Sequence, residues 1–285
     1  MKLLLDQLRP VVLNVGLAVH NADWNWKNVN SPFMRIYYVT KGYAQIELPD
    51  GIYQLKVGHM YLIPSFVCHN YTCDSRFEHY YIHVYEEQQL DGSLFDDWNF
   101  PVEICSEESD LELIKRLYAI NPFMNLEKSN PETYDNSMTF QHNLLVSKRR
   151  EFAIKMESRG IIYLLLARFM KQAEAKRKNR DERIEDAIRF IRNHIGENVN
   201  LDKLVNRAFL SKDHFIRLFK QNVGITPIQY ISRKKIEKAQ VMLVTGNMSI
   251  QSVSYALGYE DCSYFNRLFK KIVGISPKKY RDLYQ

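Results

Sequence analysis

Apolar residues change their spacing twice along this chain. From about residue 10 to 105 they fall in short runs rich in Tyr, Ile and Val, at residues 35–40, 43–48, 54–57, 60–63 and 79–85. Turn signals separate the runs: Lys41-Gly42, Pro49-Asp50-Gly51, Val57-Gly58 and Pro64-Ser65. Evenly spaced short strands of this kind predict a small barrel or sandwich. From about 108 to 178 the period becomes helical, with Leu111, Ile114, Leu117 and Tyr118 in register. Residues 152–169 carry a broad apolar face that includes Ile161, Ile162, Leu164, Leu165 and Leu166. A face that wide needs cover, from its own domain or from a second subunit. Residues 171–183 are polar with alternating charge and predict a solvated helix end or linker. The expected division is therefore 1–107, 108–178 and 179–285.

The last segment says one thing twice. Phe215-Ile216-Arg217-Leu218-Phe219-Lys220, followed by Gly224, Pro227 and Tyr230, returns fifty residues later as Phe265-Asn266-Arg267-Leu268-Phe269-Lys270, with Gly274, Pro277 and Tyr280. Such a repeat marks a duplicated supersecondary unit. On a helix over 211–222, with Ser211 as N-cap, Phe215, Leu218 and Phe219 share one side. Asp213, Ile216, Arg217 and Lys220 share the other, with Gln221 at its edge. The second copy turns Phe265, Leu268 and Phe269 inward and Ser263, Asn266, Arg267, Lys270 and Lys271 outward. A shorter helix precedes each, over 201–208 and 250–256, joined by a tight turn. Short helix, turn and longer helix with a basic outer face is a helix-turn-helix, whose second helix enters the major groove. Between the units, 227–244 reads as one helix about 27 Å long. With helix widths added, it can hold two readers in consecutive major grooves of double-stranded DNA, about 34 Å apart.

Charge follows the same division. Residues 180–285 hold 19 Lys and Arg against 11 Asp and Glu, a net of +8, whereas the rest holds 20 against 22, a net of −2. Only the second part is expected to meet a polyanion. No apolar run reaches the ~20 residues of a bilayer span, and Leu3-Leu4-Leu5 is too short for a signal-peptide core. Cys68, Cys73, Cys105 and Cys262 lack metal-ligand spacing and read as reduced thiols of a cytoplasmic protein.

The residues just quoted, with Gly258-Tyr259, Ser263-Tyr264 and the linker stretch Tyr230-Ile231 to Ile236-Glu237-Lys238-Ala239, resemble the DNA-binding domain of AraC/XylS-type transcription regulators over about 180–285. The resemblance implies an α+β chain: an N-terminal cupin-like β-barrel with C-terminal helices, then an all-α domain of two helix-turn-helix units joined by a long helix. It implies base-edge contacts from Asp213, Ile216 and Arg217 in the first unit and from Cys262, Ser263, Asn266 and Arg267 in the second. Lys212, His214, Lys220, Lys270 and Lys271 are the expected phosphate contacts. Ile216 either meets a thymine methyl or is a stray surface residue. Two positions depart from the family pattern. Phe209 stands where a glycine or small residue is usual, and a bulky residue tolerates positive φ poorly, so a different geometry is expected for the first turn. Lys235 replaces an arginine and its planar fork.

In the N-terminal part, Gly58, Pro64 and His69 resemble part of the second cupin motif. Phe66 replaces the expected glycine, and Leu48-Pro49-Asp50 occupies the place of the first motif's metal-binding histidines. This favours a sensory cupin over a metal-dependent one, with no cofactor. By strand alternation, His69 and Tyr71 share one face and His79, Tyr81, His83 and Tyr85 another. His69, Tyr71, His79, Tyr81 and His83 are the expected effector contacts, aromatic walls with polar tips suited to a small polar ligand such as a sugar. Trp24 and Trp26 either line that pocket or cap the barrel end.

The expected protein is a homodimeric, effector-responsive, sequence-specific transcription regulator, not an enzyme, with DNA, a carbohydrate-like effector and RNA polymerase as partners and no membrane. Two alternatives remain at this level: a cupin without a ligand that only dimerises the chain, and a metal-dependent cupin enzyme fused to a DNA-binding domain.

Overall fold

The computed structural model describes residues 8–87, 94–135, 137–175, 181–245 and 248–283. The Leu3-Leu4-Leu5 run and the expected domain boundary at 178–179 lie outside the described residues. The strands are β1 (Pro10–Asn21), β2 (Trp26–Val29), β3 (Met34–Gly42), β4 (Ala44–Leu48), β5 (Gly51–Leu55), β6 (His59–Ile63), β7 (His69–Thr72), β8 (Arg76–Glu86), β9 (Trp98–Asn99), β10 (Glu103–Cys105) and β11 (Glu174–Ala175). The helices are α1 (Leu94–Asp97), α2 (Glu108–Ala119), α3 (Pro131–Tyr134), α4 (Ser137–Arg149), α5 (Phe152–Met170), α6 (Glu182–Asn193), α7 (Leu201–Ala208), α8 (Lys212–Val223), α9 (Pro227–Thr245), α10 (Ile250–Ala256), α11 (Cys262–Val273) and α12 (Pro277–Leu283). The chain divides into two compact units, a β-rich one with helices and an all-α one.

The β-rich unit has two antiparallel sheets, in the orders β1-β8-β3-β6-β10 and β2-β7-β4-β5. Its core lies between them, with Tyr37, Val39, Tyr61, Ile63 and Phe77 from the first sheet and Val29, Ala44, Ile46, Leu55 and Tyr71 from the second. The long strand β1 escaped the sequence reading. Its first seven residues are all buried, so no polar alternation marks it. α5 packs against β1 and α2, burying Ile161, Ile162, Leu165, Leu166 and Phe169. The buried Asp110 of α2 holds Arg168 Nε of α5 at 2.9 Å. One side of α5 is bare: Phe152, Met156 and Leu164 are exposed, spaced by multiples of four, and Gly160 between them has no neighbour near its Cβ position.

In the all-α unit, α6 was not anticipated beyond the linker, although Ile184, Ala187, Ile188 and Ile191 repeat at helical spacing and are all buried. Asp181 caps this helix by accepting from Arg183 N. The turn after α7 corrects the expectation from Phe209. Phe209 takes the left-handed conformation at φ 53°, just as Gly258 does at φ 70° after α10. In both turns the residue's N–H bonds the carbonyl three back and the next N–H bonds the carbonyl five back: Phe209 to Asn206 and Leu210 to Val205, Gly258 to Tyr255 and Tyr259 to Ser254. Both are Schellman closures. They differ in what a side chain would meet. At Gly258 a Cβ would lie 2.5 Å from the Glu197 carbonyl carbon, so glycine is required. Phe209 is 93% exposed, its side chain is unopposed, and only the backbone strain of about 1–2 kcal/mol remains. The connections also differ in length, three residues from α7 to α8 and five from α10 to α11.

Candidate nucleic-acid interface and ligand cavity

Each longer helix of the duplicated unit is held by two phenylalanines one turn apart. Phe215 and Phe219 of α8 are wholly buried, with centroids 5.8 Å apart, and Phe219 meets Tyr230 of α9 at 5.8 Å. In α11, Phe265 and Phe269 repeat this at 5.8 Å, and Phe269 meets Tyr280 of α12 at 5.4 Å. Helical spacing then fixes what faces solvent. Asp213, Arg217, Lys212, His214 and Lys220 are exposed on α8, as are Ser263, Arg267, Lys270 and Lys271 on α11. Ile216 is half-buried and packs against the cluster around Phe215 and Phe219. Asn266 and Cys262 are also half-buried, with Asn266 Nδ2 3.9 Å from Cys262 Sγ. Ser211 occupies the N-cap of α8 without a side-chain bond, whereas Asp261 caps α11 by accepting from Ser263 N at 2.7 Å. Lys212 reaches Asp202 at 3.4 Å and Arg267 reaches Asp261 at 3.8 Å, both pairs exposed. Pairs of this kind contribute little and give way readily to a phosphate.

Lys235 is not at that surface. It is buried in α9, where Nζ donates to the Glu197 carbonyl at 2.7 Å and lies 4.9 Å from the Tyr259 ring centroid. Burial pulls its pKa down to about 8. The lysine-for-arginine exchange therefore concerns an internal tie, not a bidentate contact at an interface.

In the β-rich unit a cavity of about 200 Å3 is lined by His20, Trp24, Tyr37, His79, Tyr81 and His83 from the strand side, and by Leu126, Glu127, Ser129 and Tyr134 from the segment between α2 and α4. Three of the five expected effector contacts, His79, Tyr81 and His83, line it together. His69 and Tyr71 are not in its wall. They lie behind it in a hydrogen-bond chain whose directions are fixed from one end. The Val67 carbonyl can only accept, so His69 Nδ1 donates to it at 2.8 Å. His69 Nε2 then accepts from the Tyr71 hydroxyl at 2.7 Å, and Tyr71 accepts from Tyr37 at 2.7 Å. Of the two tryptophans, Trp24 lines the cavity and stacks on Tyr71 at 4.0 Å, while Trp26 is partly buried against the neighbouring core. Tyr85 turns instead to Phe140, edge to face at 5.2 Å.

The bonds around the wall fix some of its donor and acceptor roles. Tyr37 donates its hydroxyl hydrogen to Tyr71, so its oxygen keeps only acceptor capacity. Tyr81 accepts from Leu126 N at 2.7 Å and keeps its own proton to donate. Gly16, opposite Tyr81 across the β1–β8 pair, is needed there, because any Cβ would collide with the Tyr81 hydroxyl. His20 Nε2, His79 Nδ1 and His83 Nδ1 are buried without a partner. Burial holds the His79 and His83 rings well below the usual imidazole range, with the neighbouring ring of His20 adding to the effect at His79 and Arg35 at His83. His69 is pushed down to about 3, again chiefly by burial. Among the described residues, no three His, Cys, Asp or Glu side chains converge to hold a metal ion.

Sequence reasoning missed the residues that carry the segment facing the strands. Asp135, just past α3, sits in a buried ion pair with Arg35 of β3 at 2.9 Å and accepts from Ser31 Oγ at 2.5 Å. Arg35 also lies over the Phe33 ring at 4.7 Å. Val15 N donates to the Met124 carbonyl at 2.9 Å at the segment's other end. These partners are about a hundred residues apart in sequence, and no local pattern signals them.

Comparison with known proteins places the likeness chiefly in the duplicated unit. A family model described as "Helix-turn-helix domain" matches residues 204–282. The MmsAB operon regulatory protein of Pseudomonas aeruginosa is 40% identical over 93 residues, covering 33% of this chain and 30% of that protein. The arabinose operon regulatory protein of Escherichia coli is 31% identical over 119 residues, 41% of each chain. The chain thus spans less than half the length of these curated relatives. The HTH-type transcriptional regulator YisR of Bacillus subtilis is similar over 96% of this chain and 94% of its own, at 25% identity. The crystal structure of ToxT from Vibrio cholerae shares the fold with a TM-score of 0.53, at 12% identity, covering 95% of this chain and 99% of that one. Among the described residues no helix is long and apolar enough to cross a membrane.

Neutral imidazoles in the β-rich unit set its response to acid. Histidines with folded pKa values below 6.5 bind fewer protons than the unfolded chain does, so their contribution is complete above 6.5 and is lost as pH falls below it. Urea unfolding followed by tryptophan fluorescence should show stability falling between pH 7 and 5.5, by up to about 1.4 kcal/mol per pH unit for each such histidine. His69→Gln should make that fall shallower. An equally steep fall in the variant would mean that His69 does not enter the fold neutral.

Proposed function

We propose that this chain, whose C-terminal third is an AraC/XylS-type DNA-binding domain, is a sequence-specific transcription regulator governed by a small neutral polyhydroxylated effector. The observation that carries the DNA-binding part is the repeated phenylalanine anchor, which leaves Arg217 and Arg267 exposed at equivalent places on two helices. An arginine fork pairs with guanine O6 and N7 in the major groove. Asp213, Ser263 and Asn266 are offered as further base contacts, and Lys212, His214, Lys220, Lys270 and Lys271 as phosphate contacts. Ile216 and Cys262 would contribute only the part of the side chain that their packing leaves open.

The effector reading rests on the cavity wall. His20, His79 and His83 bring imidazole rings to the wall, the Tyr81 hydroxyl keeps a hydrogen to donate, and Trp24 offers an aromatic face. A ligand with several hydroxyl groups both donates and accepts, and it needs no counter-charge. The sugar in a relative's name is weak guidance, since the likeness to the arabinose regulator covers only 41% of that protein. By linkage, an effector alters DNA binding only through different affinities for the two functional states.

The second copy needed for a dimer is suggested by α5, which is apolar on two sides. One side is covered within its own unit, while Phe152, Met156 and Leu164 are left in water. Cytoplasmic location and contact with RNA polymerase go with this reading of a promoter-bound regulator.

Arg217→Ala and Arg267→Ala should each cost about 1–3 kcal/mol on a selected site and relax preference at one base pair. Equal weakening on random DNA, measured by fluorescence anisotropy, would limit them to phosphate contact. In thermal-shift assays of the full chain, a neutral sugar such as xylose or arabinose that binds should raise the melting temperature, and His79→Phe should abolish the rise. A rise that survives His79→Phe would move the effector out of this cavity. Sedimentation should give a dimer that Leu164→Lys converts to monomer; a monomeric parent chain would refute pairing through α5.

A further inference from the structure

A second cleft of about 160 Å3 opens where α4 ends and α5 begins, and none of its lining residues belongs to the cavity described above. Lys148, Arg150, Lys155 and Arg159 line it, with Ser158 beside them and Val11 of β1 among its apolar wall residues. One carboxylate, Glu87, shares the cleft and is already engaged by Lys148 Nζ at 2.8 Å. The other three cations have no carboxylate among the contacts of the described residues. Arg150 is half-buried and its guanidinium reaches only the Ser158 hydroxyl, at 3.4 Å. Lys155 Nζ donates to a neutral partner, the Lys148 carbonyl, at 3.1 Å. Burial alone pulls the Arg150 pKa down, with no acid acting against it.

Such a cluster is out of keeping with its surroundings, since residues 1–179 carry a net charge of −2. Three cations without a carboxylate partner among the described residues focus positive potential in this cleft. Cations bear the cost of partial desolvation only when something anionic repays it. The volume compares with about 30 Å3 for one water in the liquid, which leaves room for a phosphate and a few carbon atoms but not for a long chain. Guanidinium and ammonium groups lining one cleft suit a tetrahedral dianion, and the wall of Pro10, Val11 and Val12 suits a short carbon skeleton.

We propose that this cleft binds a small organic phosphate, a phosphate monoester, as a second ligand distinct from the effector in the strand cavity. The phosphate would sit between Arg150, Lys155 and Arg159, with its carbon part against Val11.

Calorimetric titration of the full chain with glycerol 3-phosphate, inorganic phosphate and succinate tests this. Glycerol 3-phosphate should bind best, and Arg150→Gln with Lys155→Gln should weaken it tenfold or more. Should that pair of changes disturb folding, Arg159→Gln, at an exposed position, should still weaken binding severalfold. The basic C-terminal unit is a competing phosphate binder, so Lys270→Gln with Lys271→Gln should leave the affinity unchanged. No saturable binding at millimolar concentration overturns the proposal, as does binding lost with the Lys270 and Lys271 changes. Affinity indifferent to Arg150, Lys155 and Arg159 also overturns it, and succinate binding as tightly as glycerol 3-phosphate removes the phosphate assignment.

Discussion

The all-α unit turns on two phenylalanines set one helical turn apart, Phe215 with Phe219 and again Phe265 with Phe269. Each pair is wholly buried and seated against a tyrosine, Tyr230 or Tyr280. Burying an aromatic ring on both turns removes the rotational freedom of the helix about its axis. Once that freedom is gone, the outward direction of Arg217 and Arg267 follows from 100° per residue. The turns serve the same end. Phe209 accepts backbone strain and Gly258 avoids a collision, and both close the preceding helix with the same pair of hydrogen bonds. The surface chemistry of each helix therefore depends on its interior.

The β-rich unit keeps its buried imidazoles neutral. His69, His79 and His83 are kept neutral mainly because burial makes an imidazolium costly. The relay from Tyr37 through Tyr71 to His69 leaves the Tyr37 oxygen with acceptor capacity alone, and the Leu126 N–H leaves Tyr81 to donate. The buried pair of Arg35 and Asp135 holds the segment that supplies Leu126 and Tyr134. There, desolvation raises the Asp135 pKa while Arg35 and Ser31 oppose the rise. Removing either partner would strand the other in a dry interior, which is more costly than never having built the pair.

Legibility differed by residue. The positions of Phe215, Phe219, Arg217 and their counterparts could be read because helix periodicity carries both the buried and the exposed set in one short stretch. The half-burial of Ile216 could not, because it depends on neighbours from other helices. His79, Tyr81 and His83 could be placed on one strand face by alternation. That His69 and Tyr71 stand behind the wall, and that Tyr37 and Trp24 stand in it, required the pairing of the strands and the packing of the two sheets. β1 was illegible because burial on both sides erases alternation, and Lys235 misled because a lysine on a basic helix is ordinarily at the surface.

By itself, the sequence determined the duplication, the period of each segment, the division into a mildly acidic and a basic part, and the residues that each long helix of the repeat turns outward. These are local properties, set by bond geometry within a turn of helix or a pair of strand residues. Tertiary structure alone decided which atoms converge: the strand cavity, the Arg35–Asp135 latch and the cationic cleft. Each of these joins residues separated by many positions in the chain. Their meeting depends on how whole elements pack, and no local pattern of side chains encodes that.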